Sequence, residues 1–345
     1  MSSPADLLEK LDTLAALSRG EAETLMEELL AGQLSTEEIV RMLEAINRRA
    51  VTSSELAGFA RVMRRHASPV FAPGAKVPST MVDLCGTGGD ASGTFNISTA
   101  AALVAAGAGA VVAKHGNRAV SSRSGSADVL EALGVRADLP PEVAGESICN
   151  FGIGFLFAPA AHSATRHAVP ARKLIGRRTV FNLLGPLTNP AGAQTQVAGI
   201  FSSELLDLMA ETLADLGVRR AMLLHGAGGL DEISPAGETR VTELQSGAIR
   251  QYKVSPDHFG LATRSLAEIR GGTPAENAEL ILKVFQDTPG APRDVVVMNA
   301  AAALVVTEIA KDFRAGARLA EESIRSGAAL DKLERLRQFT QRRTS

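Results

Sequence analysis

From residue 81 onward the chain alternates short β-branched runs with alanine- and leucine-rich helical windows. No other feature restricts its architecture as strongly. "MVDLCG" is followed by "STAAALVAAGA", and "AVVAKHG" by "SADVLEALGV". Further strand candidates are "IGFLFA", "TQVAGIF", "RAMLLHG" and "VTEL", with helical stretches such as "SSELLDLMAETLADLG" between them. Strands that alternate with helices imply an α/β fold with a mostly parallel central sheet covered on both faces. Such sheets bind ligands in the loops at the C-terminal ends of their strands, so chemistry is sought there.

Residues 1–70 carry only helical periodicity, in "ADLLEKLDTLAAL", "EAETLMEELLAG", "STEEIVRMLEAINRRA" and "SSELAGFARVMRRHA". Four short helices are expected. Ser35 with Glu38, and Thr52 with Glu55, have the spacing at which a hydroxyl and a carboxylate each satisfy an amide at a helix start. "SPVFAPGAKVPST", residues 68–80, reads as a linker. The expected division is a small all-helical domain over 1–70 and a large α/β domain over 75–345. Residues 163–190, helical and basic and then irregular, are expected to pack in part against the N-terminal helices.

Thirty-six Lys and Arg against 38 Asp and Glu leave a net charge of −2 without long like-charge blocks. That balance suggests neither a nucleic-acid footprint nor a polybasic membrane patch. Only Cys85 and Cys149 are present, and no apolar run reaches the roughly 20 residues that would span a bilayer, so a reducing cytoplasmic setting is expected. Cys85 has no His–Asp partner pattern around it and reads as a small buried thiol.

"DLCGTGGD", residues 83–90, is a glycine-rich turn that ends in an acid. A dinucleotide fingerprint forced onto Gly86, Gly88 and Ala91 needs an acid about 20 residues on, yet no Asp or Glu falls between Asp90 and Asp128. A triphosphate loop needs Lys-Ser or Lys-Thr after its last glycine, and "GTGGDASGTF" has neither. The turn instead leads into "FNIST", with Asn96, Ser98 and Thr99 at a helix start. Amides and hydroxyls there form an anion site, or merely cap the helix. "KHGNRAVSSRSGSAD", residues 114–128, sets Lys114, Arg118 and Arg123 in a loop with no acid until its end. In "LLHGAGGLDEIS" the adjacent Asp231 and Glu232 follow a strand and a glycine turn, as a magnesium site shared with phosphates would require. The same pair could instead start a helix.

Taken together, "GTGGD", "FNIST", "KHGNRAVSSRSGSAD", "RTVFNLLGPLTNP" and "GLDEIS" resemble the anthranilate phosphoribosyltransferase family of tryptophan synthesis, over roughly residues 5–340. The resemblance implies a homodimer of subunits with a large domain of the nucleoside phosphorylase type, and phosphoribosyl pyrophosphate and anthranilate as substrates. It implies a pyrophosphate-sugar site of Gly86, Gly89, Asp90, Thr94, Asn96, Ser98, Thr99, Lys114 and Ser126. It further implies two magnesium ions held by Asp231 and Glu232 with Ser98. For anthranilate it implies Asn117 and Arg172, with Gly86, His115, Pro159 and Gly185 along the channel. Without it, Arg172 would read as an ordinary helix-surface arginine. Hydrophobic positions on the N-terminal helices are the expected dimer surface.

The implied reaction displaces pyrophosphate from the anomeric carbon by an aryl amine. That amine is neutral at pH 7, so no general base is assigned and Lys114 acts electrostatically. A pyrimidine nucleoside phosphorylase is the same-fold alternative, but its signatures are missing. A non-catalytic relative would have lost "KHGN" or "DE" and gained a basic face.

Overall fold

The computed structural model describes residues 3–89, 92–119 and 123–343. Four helices come first: α1 (Pro4–Asp12), α2 (Arg19–Leu30), α3 (Thr36–Asn47) and α4 (Ser53–Arg65). Each is opened by a reciprocal cap. Ser35 with Glu38 and Thr52 with Glu55 behave as their spacing predicts, and Ser3 with Asp6 and Ser18 with Glu21 repeat the device. Residues 68–80 then run without regular structure to the sheet.

The α/β part continues as β1 (Val82–Gly86), α5 (Ile97–Gly107), β2 (Val112–Gly116), α6 (Ser126–Ala132), α7 (Pro141–Phe151) and β3 (Ile153–Phe157). Next come the short α8 (Ala158–Ala161), α9 (Val169–Ile175), the short α10 (Phe181–Leu184), β4 (Thr195–Gly199), α11 (Leu206–Asp215) and β5 (Arg220–Gly226). The chain finishes with β6 (Thr239–Gln245), β7 (Ala248–Val254), α12 (Pro274–Phe285), α13 (Ala291–Val306), α14 (Phe313–Arg325) and α15 (Ala328–Gln341).

The seven strands lie in the order β3-β2-β1-β4-β5-β6-β7. The first five are parallel and the last two antiparallel, so the sheet is mostly parallel as the sequence implied. From β1 the chain builds outward through β2 and β3 on one side, then returns to lay β4 and β5 on the other. The crevice for a ligand therefore opens between the C-terminal ends of β1 and β4, where Gly86 pairs with Gly199.

Each face of the sheet has its own core. On one, the alanine-rich α5 and α13 lie among buried side chains from α14 and α15. On the other, α1–α4 share a core with α11, with β4 and β5, and with Ala168, Ala171, Val180, Phe181, Leu184 and Leu187 of the segment 163–190. The apolar stripes of the N-terminal helices are consumed here: Leu7, Leu25, Met26 and Leu43 are buried within their own chain. The large apolar side chains left exposed nearby are Leu14 after α1, and Val169 and Leu174 of α9. Amphipathic periodicity reports burial, not what does the burying.

Candidate active site

The crevice is built by close backbone approach. A Cβ on Gly199 would fall 1.5 Å from the Asp231 carbonyl oxygen, and one on Gly86 would fall 2.8 Å from Asp231 Oδ2. Glycine at both strand ends thus lets the 227–235 loop reach across to the first glycine turn. Within that turn Thr87 N–H donates to Gly199 O at 2.9 Å and Gly88 N–H to Asp231 Oδ2 at 3.1 Å. Gly88 and Gly89 hold φ of 64° and 74°, which only glycine adopts without strain. Asn299 of α13 steadies the acidic loop, accepting from Ile233 N–H at 2.9 Å and donating to Ile233 O at 3.2 Å.

α5 starts beside this turn. Asn96 is its N-cap residue but makes no side-chain cap, so the simple capping role does not hold. Instead the N–H of Ser98 donates to Glu232 Oε1 at 3.1 Å, which brings the acidic pair to a helix N-terminus. Lys114, buried on β2, donates to Leu84 O at 2.6 Å and to Ser98 Oγ at 3.3 Å. Burial lowers the Lys114 pKa, opposed first by the Asp83 carboxylate and also by Glu232 and Asp231. Glu232 is partly open at the mouth of the crevice yet packed deeply among protein atoms. That burial, and the neighbouring Asp231 charge, push its carboxyl up to about 8.

A divalent cation fits this donor set. Two adjacent carboxylates and a hydroxyl are hard oxygen donors, and one carboxylate is held in a place that calls for added positive charge. Among the described residues no group of three or more His, Cys, Asp or Glu assembles. An ion sharing its remaining positions with water and substrate phosphates is the chemistry such a pair suits.

Of the sugar-phosphate set, Ser98 bonds Glu232, Gly86 closely approaches Asp231, and Lys114 reaches the pair through Ser98 Oγ and through its charge. Thr94 pairs as a β-bridge with Arg270, and Thr99 is buried with its hydroxyl unpartnered among the described residues. Ser126 Oγ donates to Asn117 O at 3.3 Å, joining a phosphate candidate to an anthranilate candidate. Asp90 lies outside the described residues. Arg118 is taken up by Asp128 and Glu131, and Arg123 lies 3.7 Å from Glu276. Of the three loop cations only Lys114 therefore faces the acidic pair, because the chain folds acids onto the other two.

Among the anthranilate candidates, His115 Nδ1 lies 3.3 Å from Gly185 O. A carbonyl only accepts, so the neutral ring carries its proton on Nδ1 and leaves Nε2 as a buried acceptor without a partner among the described residues. Burial, with the adjacent His162 at 5.3 Å, lowers the His115 pKa to about 3. Pro159 sits in α8 at the end of β3. Arg172 of α9 is half-buried over the Phe181 ring, 5.2 Å from its centroid. It combines that burial with no carboxylate partner among the described residues, unlike an exposed surface arginine. No hydrogen bond joins Arg172 to His115 or Asn117 there.

Cys85 is buried, accepts from Gln196 Nε2 at 3.0 Å and has its thiol pushed up by burial, so it is no nucleophile. Arg178 was not singled out in the sequence. It lies 4.1 Å over the Phe201 ring and donates to Gly89 O, while Asn47 of α3 holds its carbonyl at 3.1 Å. The available signal was its position at the start of "RTVFNLLGPLTNP".

Two family models match the chain: the helical bundle domain of a glycosyl transferase family over residues 5–67, and the a/b domain of a glycosyl transferase family over 78–330. The chain is 48% identical over 337 residues to the anthranilate phosphoribosyltransferase of Desulfatibacillum aliphaticivorans, covering 98% of each. The anthranilate phosphoribosyltransferase of Thermus thermophilus superposes with a TM-score of 0.91 at 43% identity, over 97% of this chain and 99% of that one. The Saccharomyces cerevisiae enzyme in complex with phosphoribosyl pyrophosphate and magnesium does so at 0.87 and 28%, over 98% and 99%. The same yeast enzyme in complex with 4-fluoroanthranilate gives 0.86 and 27%, over 98% of each. With near-complete coverage at such identity, and with the same two-part fold, the chain belongs to the anthranilate phosphoribosyltransferase family.

Proposed function

We infer that this protein transfers the phosphoribosyl group of phosphoribosyl pyrophosphate to the amino group of anthranilate, giving N-(5-phosphoribosyl)anthranilate and pyrophosphate in tryptophan synthesis. The observation that carries this is one crevice holding a glycine turn, an α5 N-terminus, a buried lysine and an adjacent acid pair. Those parts suit a leaving group that carries several negative charges.

The glycine-turn amides with Thr94, Asn96, Thr99 and Ser126 would bind the pyrophosphate and sugar, and Asp90 a hydroxyl or metal-bound water. Lys114 supplies fixed positive charge where the C–O bond to pyrophosphate breaks. Ser98, Asp231 and Glu232 would hold magnesium, two ions in this reading, which when bound neutralises charge on the leaving pyrophosphate. Arg172 would take the anthranilate carboxylate by a bidentate pair. Asn117, Pro159, Gly86 and Gly185 would line its path. His115, neutral and presenting Nε2, can orient the aryl amine without serving as a strong base.

Under this reading the domains divide at the 68–80 linker, with part of 163–190 joining the helices. The protein works in the cytoplasm as a homodimer, supported by the exposed Val169 and Leu174 on α9; sedimentation at the 36.0 kDa chain mass would remove the dimer. The direct assay is loss of anthranilate fluorescence with phosphoribosyl pyrophosphate and magnesium. Loss that needs all three is expected, and a folded protein that causes none overturns the assignment.

A further inference from the structure

Asn277 lies on α12, 181 residues along the chain from Asn96, and is 1% exposed. Its Oδ1 accepts from Gly272 N–H at 2.7 Å, and its Nδ2 donates to Asn96 Oδ1 at 2.9 Å. Asn96 Oδ1 also accepts from Ser124 Oγ at 3.0 Å, and Asn96 Nδ2 donates to Ser124 O at 3.1 Å. The two ends of this chain of bonds are backbone groups whose polarity is fixed: the Gly272 amide can only donate and the Ser124 carbonyl can only accept. Both side-chain amides between them are therefore held in one orientation.

A carboxamide has two acceptor lone pairs and two N–H donors. In Asn96 both lone pairs are filled and one donor is used, so one N–H remains without a partner among the described residues. The backbone around it is fastened to the segment that leads into α12. Gly271 N–H donates to Gly93 O at 2.8 Å and Phe95 N–H to Ile269 O at 3.3 Å. Asn96, at the start of α5, thus has a donor and no acceptor left to offer a ligand, a choice imposed by Asn277 of α12 and by Ser124.

We propose that Asn277 is a positioning residue of the anionic-sugar site, setting Asn96 to present an N–H to the phosphoribosyl donor. This rests on the phosphoribosyl-transfer reading of the crevice. Asn277→Asp keeps an acceptor for Gly272 but places an oxygen against Asn96 Oδ1. Asn96 can meet that oxygen only by turning over and can meet the Ser124 carbonyl only as it stands, so its N–H is no longer held in place for the anionic substrate.

The test is steady-state kinetics in both substrates, with phosphoribosyl pyrophosphate binding followed by calorimetry. Asn277→Asp should raise the KM and Kd for phosphoribosyl pyrophosphate about ten- to a hundredfold, the range for a hydrogen bond to a charged group. The KM for anthranilate should stay within about twofold, since the perturbed amide faces the other substrate. In an Asn96→Ala background the same substitution should add nothing further, because its effect passes through Asn96. Should Asn277→Asp fail to fold, Asn277→Ala is measured instead, with the same selectivity expected because it removes the N–H that holds Asn96 Oδ1. An unchanged KM for phosphoribosyl pyrophosphate, equal losses for both substrates, or full additivity with Asn96→Ala overturns the positioning role. A wild-type chain with no turnover sinks the phosphoribosyl reading itself, a result distinct from all of these.

Discussion

At the scale of single residues, the site is shaped by which groups have partners and which are left without. Arg172 stacks on Phe181 with no acid beside it among the described residues, so its guanidinium remains available to a carboxylate. Arg172→Ala should raise the KM for anthranilate about ten- to a hundredfold. Arg172→Lys should recover only part of that, because a lysine cannot grip a carboxylate with two parallel N–H bonds. An unaltered KM in the alanine variant removes Arg172 from the site. His115 makes a different prediction. Its ring is buried beside His162, the Lys114 charge further disfavours its protonation, and the Asp83 carboxylate is bonded to its backbone N–H at 3.0 Å. A histidine with a folded pKa of about 3 and an unfolded value of 6.5 binds more protons when unfolded. Its contribution is therefore constant above pH 6.5 and is lost as pH falls toward 3. Between pH 7 and pH 5 it should cost the wild type about 2 kcal/mol of stability. Urea titrations at the two pH values should show that loss, and His115→Gln should remove most of it; an equal loss in both proteins rules His115 out as the cause.

At the scale of elements, the ends of strands matter more than their middles. Gly199 closes β4 where no Cβ can fit against the Asp231 carbonyl. Gly199→Ala must push the 227–235 loop away, at a cost of about 1–3 kcal/mol or more in overpacking. The acid pair should move with the loop, so the half-saturating magnesium concentration should rise and kcat fall while the circular dichroism of the sheet and helices is retained. Wild-type magnesium dependence in a folded Gly199→Ala protein contradicts this. The same strand ends mark what the sequence could disclose. The strand β1, the glycine turn and α5 are contiguous, and so are β2 and the Lys114 loop, so local periodicity and glycine spacing reveal them. β7 escaped because "AIRQYKV" is an edge strand, mostly exposed, without an alternating apolar face. Its hairpin to β6 turns at Ser246 and Gly247, with φ of 49° and 84°, a primed turn that the pair Ser-Gly announces only weakly. Asn277, Arg178 and Asn299 reach the crevice from elements far along the chain. Nothing in the local sequence of Asn277 or Asn299 separates them from ordinary helix polar residues, and Arg178 has only its place at the start of "RTVFNLLGPLTNP".

At the scale of the whole molecule, the N-terminal helices do not stand apart. Their core is continuous with Ala198 and Ile200 at β4, Ala221 and Leu223 of β5, and Met209 and Leu213 of α11. Arg64 of α4 donates to Leu187 O at 2.7 Å, and Arg61 to Asp215 O at 3.0 Å, so polar bonds cross the same boundary. A chain of this size with two structural parts commonly unfolds in steps. Here, opening the helical part would expose the apolar face of the sheet, and melting the sheet would strip the floor from beneath the helices. The two parts should therefore unfold together, in one calorimetric transition whose van 't Hoff and calorimetric enthalpies agree. Leu25→Ala, deep in α2, should destabilise by about 2–5 kcal/mol and shift that single transition as a whole. An early, separate transition in the variant, or two transitions in the wild type, shows that the shared core does not couple them. Coupling of this kind has a functional consequence. Arg172 and Gly185 come from the segment that packs on the helices, while Lys114 comes from the sheet and Asp231 from the loop after β5. The alignment of the two halves of the site is then maintained by the same hydrophobic contacts that hold the helices in place.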